Sequence, residues 1–88
     1  MKIRPEYSID YESDDITIVR REPDGSWQEV SPLSPSAAMA WEGFQRGISR
    51  EAIVDSIVDE FDGADRAVVE QELEALAARL IALGYAEE

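Results

Sequence analysis

The spacing of apolar residues in this 88-residue chain changes near Ser31, and this change restricts the fold more than any other feature. Before Ser31 the apolar residues alternate with polar ones or form short β-branched runs, which is typical of strands. After Ser31 they recur every three or four residues, as on one face of a helix. Because no helical stretch separates two strand-like stretches, a parallel βαβ sheet is not expected, and the pattern predicts an α+β domain.

Two or three antiparallel strands are predicted before Ser31. Residues 7–12 alternate between apolar and polar side chains, and residues 15–22 are rich in side chains that favour strands. The turn Pro23-Asp24-Gly25 follows, in which proline presets φ and glycine accepts a positive φ. Residues 26–30 then form the returning strand, whose short and mixed sequence is expected of an edge strand.

Three helices are predicted after Ser31, each with its own start signal. Ser34-Pro35 begins the first helix, because serine caps helices and proline suits the first helical position. Ser49 caps the second helix and Asp65 the third, whose apolar stripe runs from Val69 to Leu83. The glycines that end the helices are Gly47, Gly63 and Gly84. The chain is thus predicted to be one domain, 1–88, with strands in about residues 3–31 and helices in about 34–84.

The composition excludes several kinds of chemistry. Cysteine and histidine are both absent, which removes disulfides, thiolate nucleophiles and the usual zinc and iron ligands. It also removes the side chain that most often transfers protons near neutral pH. An enzyme with this composition would have to rely on carboxylates, hydroxyls or arginine. No catalytic residue, metal or cofactor is predicted, and we expect a protein that is not an enzyme.

The charge and the terminal sequence restrict the partners. The net charge is −12, and such a domain repels nucleic acids, which are bound mainly through their phosphates. The same charge is unlike that of a membrane-surface binder, and no apolar run is long enough to cross a bilayer. Residues 1–5 are not followed by the apolar stretch of a signal peptide. These features predict a cytoplasmic protein that binds neither nucleic acid nor membrane.

Several short motifs in about residues 33–85 share their spacing with a known family. They are Leu33-Ser34-Pro35-Ser36-Ala37-Ala38-Met39-Ala40-Trp41, Gly47, Ser49-Arg50-Glu51-Ala52-Ile53-Val54, Phe61-Asp62, and Leu76 through Leu80 to Leu83-Gly84-Tyr85. Together they resemble the family of coenzyme PQQ synthesis protein D and the wider group of domains that recognise precursor peptides. Ser34 departs from the pattern, since members often carry Asn at this position.

The resemblance implies a winged helix-turn-helix domain that binds the leader segment of a ribosomally made precursor peptide. Such a peptide chaperone presents its ligand to a separate modifying enzyme, often a radical enzyme that uses S-adenosylmethionine. In the family, the leader adds as an extra strand beside the last strand, over a groove formed with the third helix. The residues predicted to bind it are Ser26, Trp27, Gln28, Glu29 and Val30 on the strand, and Val68, Val69, Glu72 and Leu76 on the third helix.

Backbone pairing alone cannot support such binding. Ordering the peptide costs roughly 1–2 kcal/mol per residue, and each hydrogen bond returns only about 1 kcal/mol net. Micromolar affinity requires about 8 kcal/mol. Apolar side chains that enter pockets must supply the remainder, at roughly 1.5–3 kcal/mol for each fully buried one. An apolar groove is therefore expected beside the strand.

Some of these residues also have a simpler structural interpretation. Trp27 can cover the core instead of lining a groove, and the high average burial of tryptophan favours the core. Leu76 belongs to the apolar stripe of the third helix, where a core position is favoured. Trp41 is predicted to be a core residue. Arg20-Arg21 can pair with acidic peptide residues, although an exposed strand end is the more common case.

Two other classes of function stay open at this point. Asp55-Ser56-Ile57 resembles the phosphopantetheine attachment site of acyl carrier proteins, although Ser56 falls inside a predicted helix and the strands do not fit an all-helical carrier. A winged helix can also bind DNA, although the third helix is too acidic to favour the major groove. Residues 59–65 lack the spacing of a calcium loop. An exposed strand edge can also pair with a second copy, so a homodimer stays open.

Overall fold

The computed structural model describes residues 1–11 and 15–88, and this part of the chain has five strands and three helices. The strands are β1 (Lys2–Ile3), β2 (Tyr7–Asp10), β3 (Ile16–Arg21), β4 (Trp27–Leu33) and β5 (Ala86–Glu87). The helices are α1 (Pro35–Gln45), α2 (Arg50–Glu60) and α3 (Arg66–Ala82). The predicted α+β class, with antiparallel strands before three helices, is confirmed. The winged helix-turn-helix assignment stays a prediction, and Glu12, at the end of the predicted first strand, lies outside the described residues.

Strands β2, β3 and β4 form an antiparallel sheet in that order, which leaves β4 at an edge. Arg21 lies opposite Trp27 and Ile16 opposite Leu33, and an irregularity in the register leaves Val30 without a partner in β3. Strand β4 extends beyond the predicted Val30 to Leu33. The extension includes Pro32, which a strand tolerates at an edge because its missing N–H can face away from the neighbouring strand.

The turn between β3 and β4 forms as its sequence predicts. The Asp24 carboxylate accepts hydrogen bonds from the Ser26 hydroxyl (2.6 Å) and the Ser26 backbone N–H (2.9 Å). These bonds stabilise the ionised form and lower the pKa of Asp24. Gly25 has a φ of 89°, which glycine adopts without steric cost.

A second sheet, which the sequence did not predict, joins the two ends of the described chain. Strand β1 pairs antiparallel with β5, so that Lys2 faces Glu87 and Ile3 faces Ala86. Ile3 and Ala86 are both buried. Two-residue strands are too short to show an alternating pattern, which is why the periodicity of the sequence did not reveal them.

The three predicted helix starts are confirmed by their capping bonds. The hydroxyl of Ser34 accepts the N–H of Ala37 at 3.2 Å, and Ser49 accepts that of Ala52 at 3.2 Å. The carboxylate of Asp65 accepts a hydrogen bond from the backbone N–H of Ala67 at 2.9 Å. Each bond satisfies a backbone donor that the first turn of a helix leaves free.

The core lies between the three helices and the inner face of the sheet. Trp41 lies in this core and is 0 % exposed, which confirms its predicted core position. Ile18 of β3 is buried in the same cluster. The α3 residues Leu73 and Leu80 are buried in the same cluster. None of the helices in residues 1–11 and 15–88 is both long and apolar enough to cross a bilayer.

Candidate functional site

Strand β4 presents an open edge. Within the described residues its sheet neighbour is β3, and no strand pairs with its other side. The Glu22 N–H donates to the Ser26 carbonyl at 2.8 Å, which fixes the alternation of backbone groups in the hairpin. By this alternation the N–H and C=O groups of Trp27 and Glu29 point away from β3. They are free to pair with another extended chain.

The opposite edge of this sheet, β2, is partly covered by the protein itself. The backbone N–H of Tyr7 donates to the carbonyl of Arg4 at 3.1 Å. The side-chain amide of Gln45 donates to the carbonyl of Tyr7 at 3.5 Å. Because these groups at the start of β2 are already used, β4 is the more accessible edge.

A cavity of about 300 Å³ lies where β4 leads into α1. Its walls come from the first turn of α1 and from one face of α3. The lining residues are Ser34, Ser36, Ala37, Glu72, Leu73, Ala75, Leu76 and Arg79. Leucine and alanine side chains supply apolar surface, and the polar residues are serines and two charged groups. Its size is at the lower end of the range for ligand pockets in proteins.

The predicted helix residues fall into different environments. Glu72 and Leu76 line the cavity, and Leu76 is half-buried. Val68 is exposed one turn before Glu72 on the same side of α3. Val69 is instead buried in the core and does not line the cavity. The difference arises because neighbouring residues of a helix point about 100° apart.

The predicted strand residues also separate. Ser26 precedes β4, and both of its backbone groups are used in the turn, by Asp24 and Glu22. Gln28 is exposed, and its amide oxygen accepts a long hydrogen bond from Arg20 at 3.4 Å. Val30 is half-buried and packs against the core. Glu29 is exposed on the outer face, opposite Val19.

The core interpretation of Trp27 is wrong. Trp27 as a residue is 52 % exposed, because its register opposite Arg21 places it on the face of the sheet that carries no helices. The Arg21 guanidinium lies 6.0 Å from the ring centroid, within range of a cation–π contact. Trp27 and Glu29 line a shallow recess on this outer face, separate from the cavity at α3.

The strand and helix parts of the predicted site therefore do not share one cavity. The end of β4 connects them, because Leu33 is followed directly by Ser34 in the cavity wall. The sequence did not predict the other residues that line the cavity, which are Ser34, Ser36, Ala37, Leu73, Ala75 and Arg79. The spacing of Glu72, Leu76 and Arg79 along one helical face was a signal that could have revealed Arg79.

Arg20 is not a free cation at the strand end. Its guanidinium donates to the Glu22 carboxylate at 2.9 Å and 3.1 Å. The hydrogen bonds with Glu22 raise the pKa of Arg20. The hypothesis that Arg20 binds an acidic peptide residue would require this local pair to break.

The alternative sites of the sequence have ordinary structural roles. Ser56 lies inside α2, and its hydroxyl donates to the carbonyl of Ala52 at 3.0 Å. Arg66 on α3 is held by Asp55 at 2.6 Å and by Glu70 at 3.4 Å, so it does not project free toward a nucleic acid. Residues 59–65 form the end of α2, a turn and the cap of α3.

The fold and the site define a class: a small α+β protein with an open sheet edge that ends at a partly apolar cavity. The family described as coenzyme PQQ synthesis protein D (PqqD) matches residues 19–85, and the chain belongs to this family. The match begins in β3, so it covers the hairpin as well as the helices. Comparison with curated protein sequences gives no match.

Two solved structures have a similar fold. One is described as TbiB1 in complex with the TbiA(beta) leader peptide, with a TM-score of 0.74 and 24 % identity over 99 % of this chain and 95 % of that chain. The other is a lasso peptide synthetase B1 complexed with the leader peptide, with a TM-score of 0.73 and 21 % identity over 98 % and 95 % of the two chains. Both likenesses extend over nearly the whole length of each chain.

Proposed function

We propose that this protein binds the leader segment of a ribosomally made precursor peptide and presents it to a separate modifying enzyme. The observation that carries this proposal is the open edge of β4, which ends at the cavity between α1 and α3. Membership in the PqqD family supports it. So does the fold that the chain shares with two proteins whose structures contain leader peptides.

The leader would add as a strand along β4. Its backbone would pair with the outward groups of Trp27 and Glu29, and alternate side chains would point to the two faces of the extended sheet. Toward the end of β4, an apolar side chain would enter the cavity against Leu73 and Leu76. Burying that side chain contributes roughly 1.5–3 kcal/mol. This contribution is needed because backbone hydrogen bonds alone do not offset the cost of ordering the peptide.

The contribution of this protein to modification would be proximity and alignment, with the chemistry performed by its partner. We propose a radical enzyme that uses S-adenosylmethionine as this partner, which is what the resemblance to the family implies. The place of action would be the cytoplasm. A homodimer formed through two β4 edges would compete with peptide binding, because both use the same backbone groups.

The proposal is tested by titrating the ¹⁵N-labelled protein with the leader of the precursor encoded nearest to its gene. We expect amide shifts to concentrate in residues 27–33 and 72–79, because these line the strand edge and the cavity. Emission of Trp27, which is exposed, should shift on binding, while Trp41 stays buried. Shifts confined to β2 or to α2, or no binding at all, would contradict the proposal.

A pair of variants separates backbone pairing from side-chain contact. Glu29→Pro removes an outward N–H that the β3–β4 ladder does not use, whereas Glu29→Ala removes the same side chain and keeps that N–H. We expect Glu29→Ala to bind the peptide with the affinity of the natural chain. Glu29→Pro should bind at least about fivefold more weakly, because one net hydrogen bond is worth about 1 kcal/mol. Equal affinities of the two variants would show that the peptide does not pair with this edge.

A further inference from the structure

The apolar part of the cavity lies between two side chains of opposite charge. Glu72 and Arg79 both line it, with Ala75 and Leu76 between them along α3. They are seven residues apart, which is about two helical turns and about 10.5 Å along the helix axis. Spacing by seven also places them on the same side of the helix.

Neither charge is neutralised by a neighbour in the described part of the chain. Arg4, Arg20, Arg50 and Arg66 each form an ion pair with a carboxylate. Glu72 and Arg79 are in no ion pair among residues 1–11 and 15–88, either with each other or with another group. Arg79 lies in the last turn of α3, where its charge also complements the helix dipole. Both groups can therefore pair with a ligand without breaking an existing contact.

We infer that this cavity selects an extended peptide in which an apolar side chain is flanked by a basic residue on one side and an acidic residue on the other. This inference rests on the proposed function. The basic residue pairs with Glu72, the acidic residue pairs with Arg79, and the apolar side chain enters between them. Because Glu72 lies nearer the start of α3 and Arg79 nearer its end, these two charges also fix the direction in which the peptide lies along the helix.

The separation of the charges sets the spacing in the peptide. An extended chain rises about 3.3 Å per residue, so 10.5 Å corresponds to about three residues. Because alternate side chains of an extended chain point to opposite faces, the basic, apolar and acidic side chains that all face α3 must stand at positions i, i+2 and i+4, which span about 13 Å. The flexible lysine, arginine and glutamate side chains take up the difference from the helix spacing. A second copy of this chain is a poorer occupant, because two molecules of charge −12 repel each other.

The test uses a random-sequence peptide library displayed on its encoding mRNA and selected on three purified proteins. The first is the natural chain, and the second carries Glu72→Arg with Arg79→Glu. The third is a control in which Arg50→Glu and Glu74→Arg reverse an ion pair of 2.6 Å on another face of α3. Both double variants preserve the net charge, so long-range attraction is the same in all three.

We expect the natural chain and the control to enrich the same charge order around an apolar residue, and the cavity variant to enrich the reverse order. A peptide taken from the first selection should bind the cavity variant about tenfold more weakly, because two exposed attractions become repulsions. The single variant Arg79→Gln should lose the preference for an acidic peptide residue and keep the preference for a basic one. This variant tests the inference if the double variant folds poorly.

Two results would overturn the inference, and they differ from failure of the proposed function. Peptides enriched without any charge order, or with the same order on the natural chain and on the folded cavity variant, would show that Glu72 and Arg79 do not select the ligand. If the natural chain enriches no peptide at all, the proposed function itself fails.

Discussion

The phenol of Tyr11 donates a hydrogen bond to the carboxylate of Glu42 and so joins the residue after β2 to α1. Partial desolvation, this hydrogen bond and the negative charge of Glu42 raise the pKa of Tyr11 from 10.0 to about 12. A raised pKa means that the folded protein favours the neutral phenol. This contribution to stability is therefore complete below about pH 10 and is lost as the pH rises through about 12.

We predict that Glu42→Gln lowers the pKa of Tyr11, because it removes the charge and keeps an oxygen that accepts the bond. The measurement is an absorbance titration of phenolate in the natural chain and in Glu42→Gln. The chain has three tyrosines, so the titration curve of the same protein carrying Tyr11→Phe is subtracted in each case to isolate the signal of Tyr11. A Tyr11 phenol that titrates at the same pH with and without the Glu42 charge would contradict the prediction.

Among the elements, α1 and α2 approach closely at a glycine. A Cβ atom placed on Gly43 would lie 2.5 Å from Cγ1 and 2.7 Å from Cδ1 of Ile53, a residue that is itself buried. These separations are far shorter than a carbon–carbon contact of about 3.5–4.0 Å. The absence of a side chain at this position is what allows the two helices to pack at this distance.

We predict that Gly43→Ala destabilises the fold by about 1 kcal/mol. Alanine gains about 1 kcal/mol of helix propensity over glycine, but overpacking of a core costs about 1–3 kcal/mol. In the background of Ile53→Ala, which removes both clashing atoms, the same change should be neutral or stabilising. Denaturant unfolding of the four proteins measures this coupling, and equal effects in both backgrounds would contradict the packing argument.

At the scale of the whole molecule, the pairing of β1 with β5 connects the most distant parts of the sequence. Ala86 and Ile3 are opposite each other and are both buried in the core. The N–H of Arg4 donates to the carbonyl of Tyr85 at 3.0 Å, and the rings of Tyr7 and Tyr85 lie 4.6 Å apart. These contacts fix the end of α3, and thereby the cavity face of that helix, against the strands.

We predict that removal of residues 86–88 lowers the free energy of unfolding by about 1–3 kcal/mol, because it deletes a backbone ladder and exposes Ile3. Removal of Glu88 alone, which lies beyond β5, should leave stability unchanged. Chemical denaturation of the three chains provides the measurement. If both truncations have the same small effect, β5 contributes nothing to the fold.

The sequence by itself determined the elements whose causes are local. Ser34, Ser49 and Asp65 start helices because their side chains bond to backbone groups two or three residues away. The turn at Asp24-Gly25 depends equally on near neighbours, and the repeat of apolar residues along α3 is visible without the rest of the molecule. The strand β4 could be predicted because its hairpin with β3 is closed by near neighbours, and its short, mixed sequence indicated an edge strand. Its extension through Pro32 to Leu33 was not predicted.

Only the tertiary structure decided how distant segments meet. The pairing of β1 with β5 depends on where α3 returns the chain, and the exposed side of Trp27 depends on which face of the sheet the helices cover. The cavity likewise combines the first turn of α1 with Glu72, Leu76 and Arg79 of α3. Periodicity shows which residues of one element share a face. The partner that this face meets is set by packing of the whole chain, because burial depends on contacts between elements.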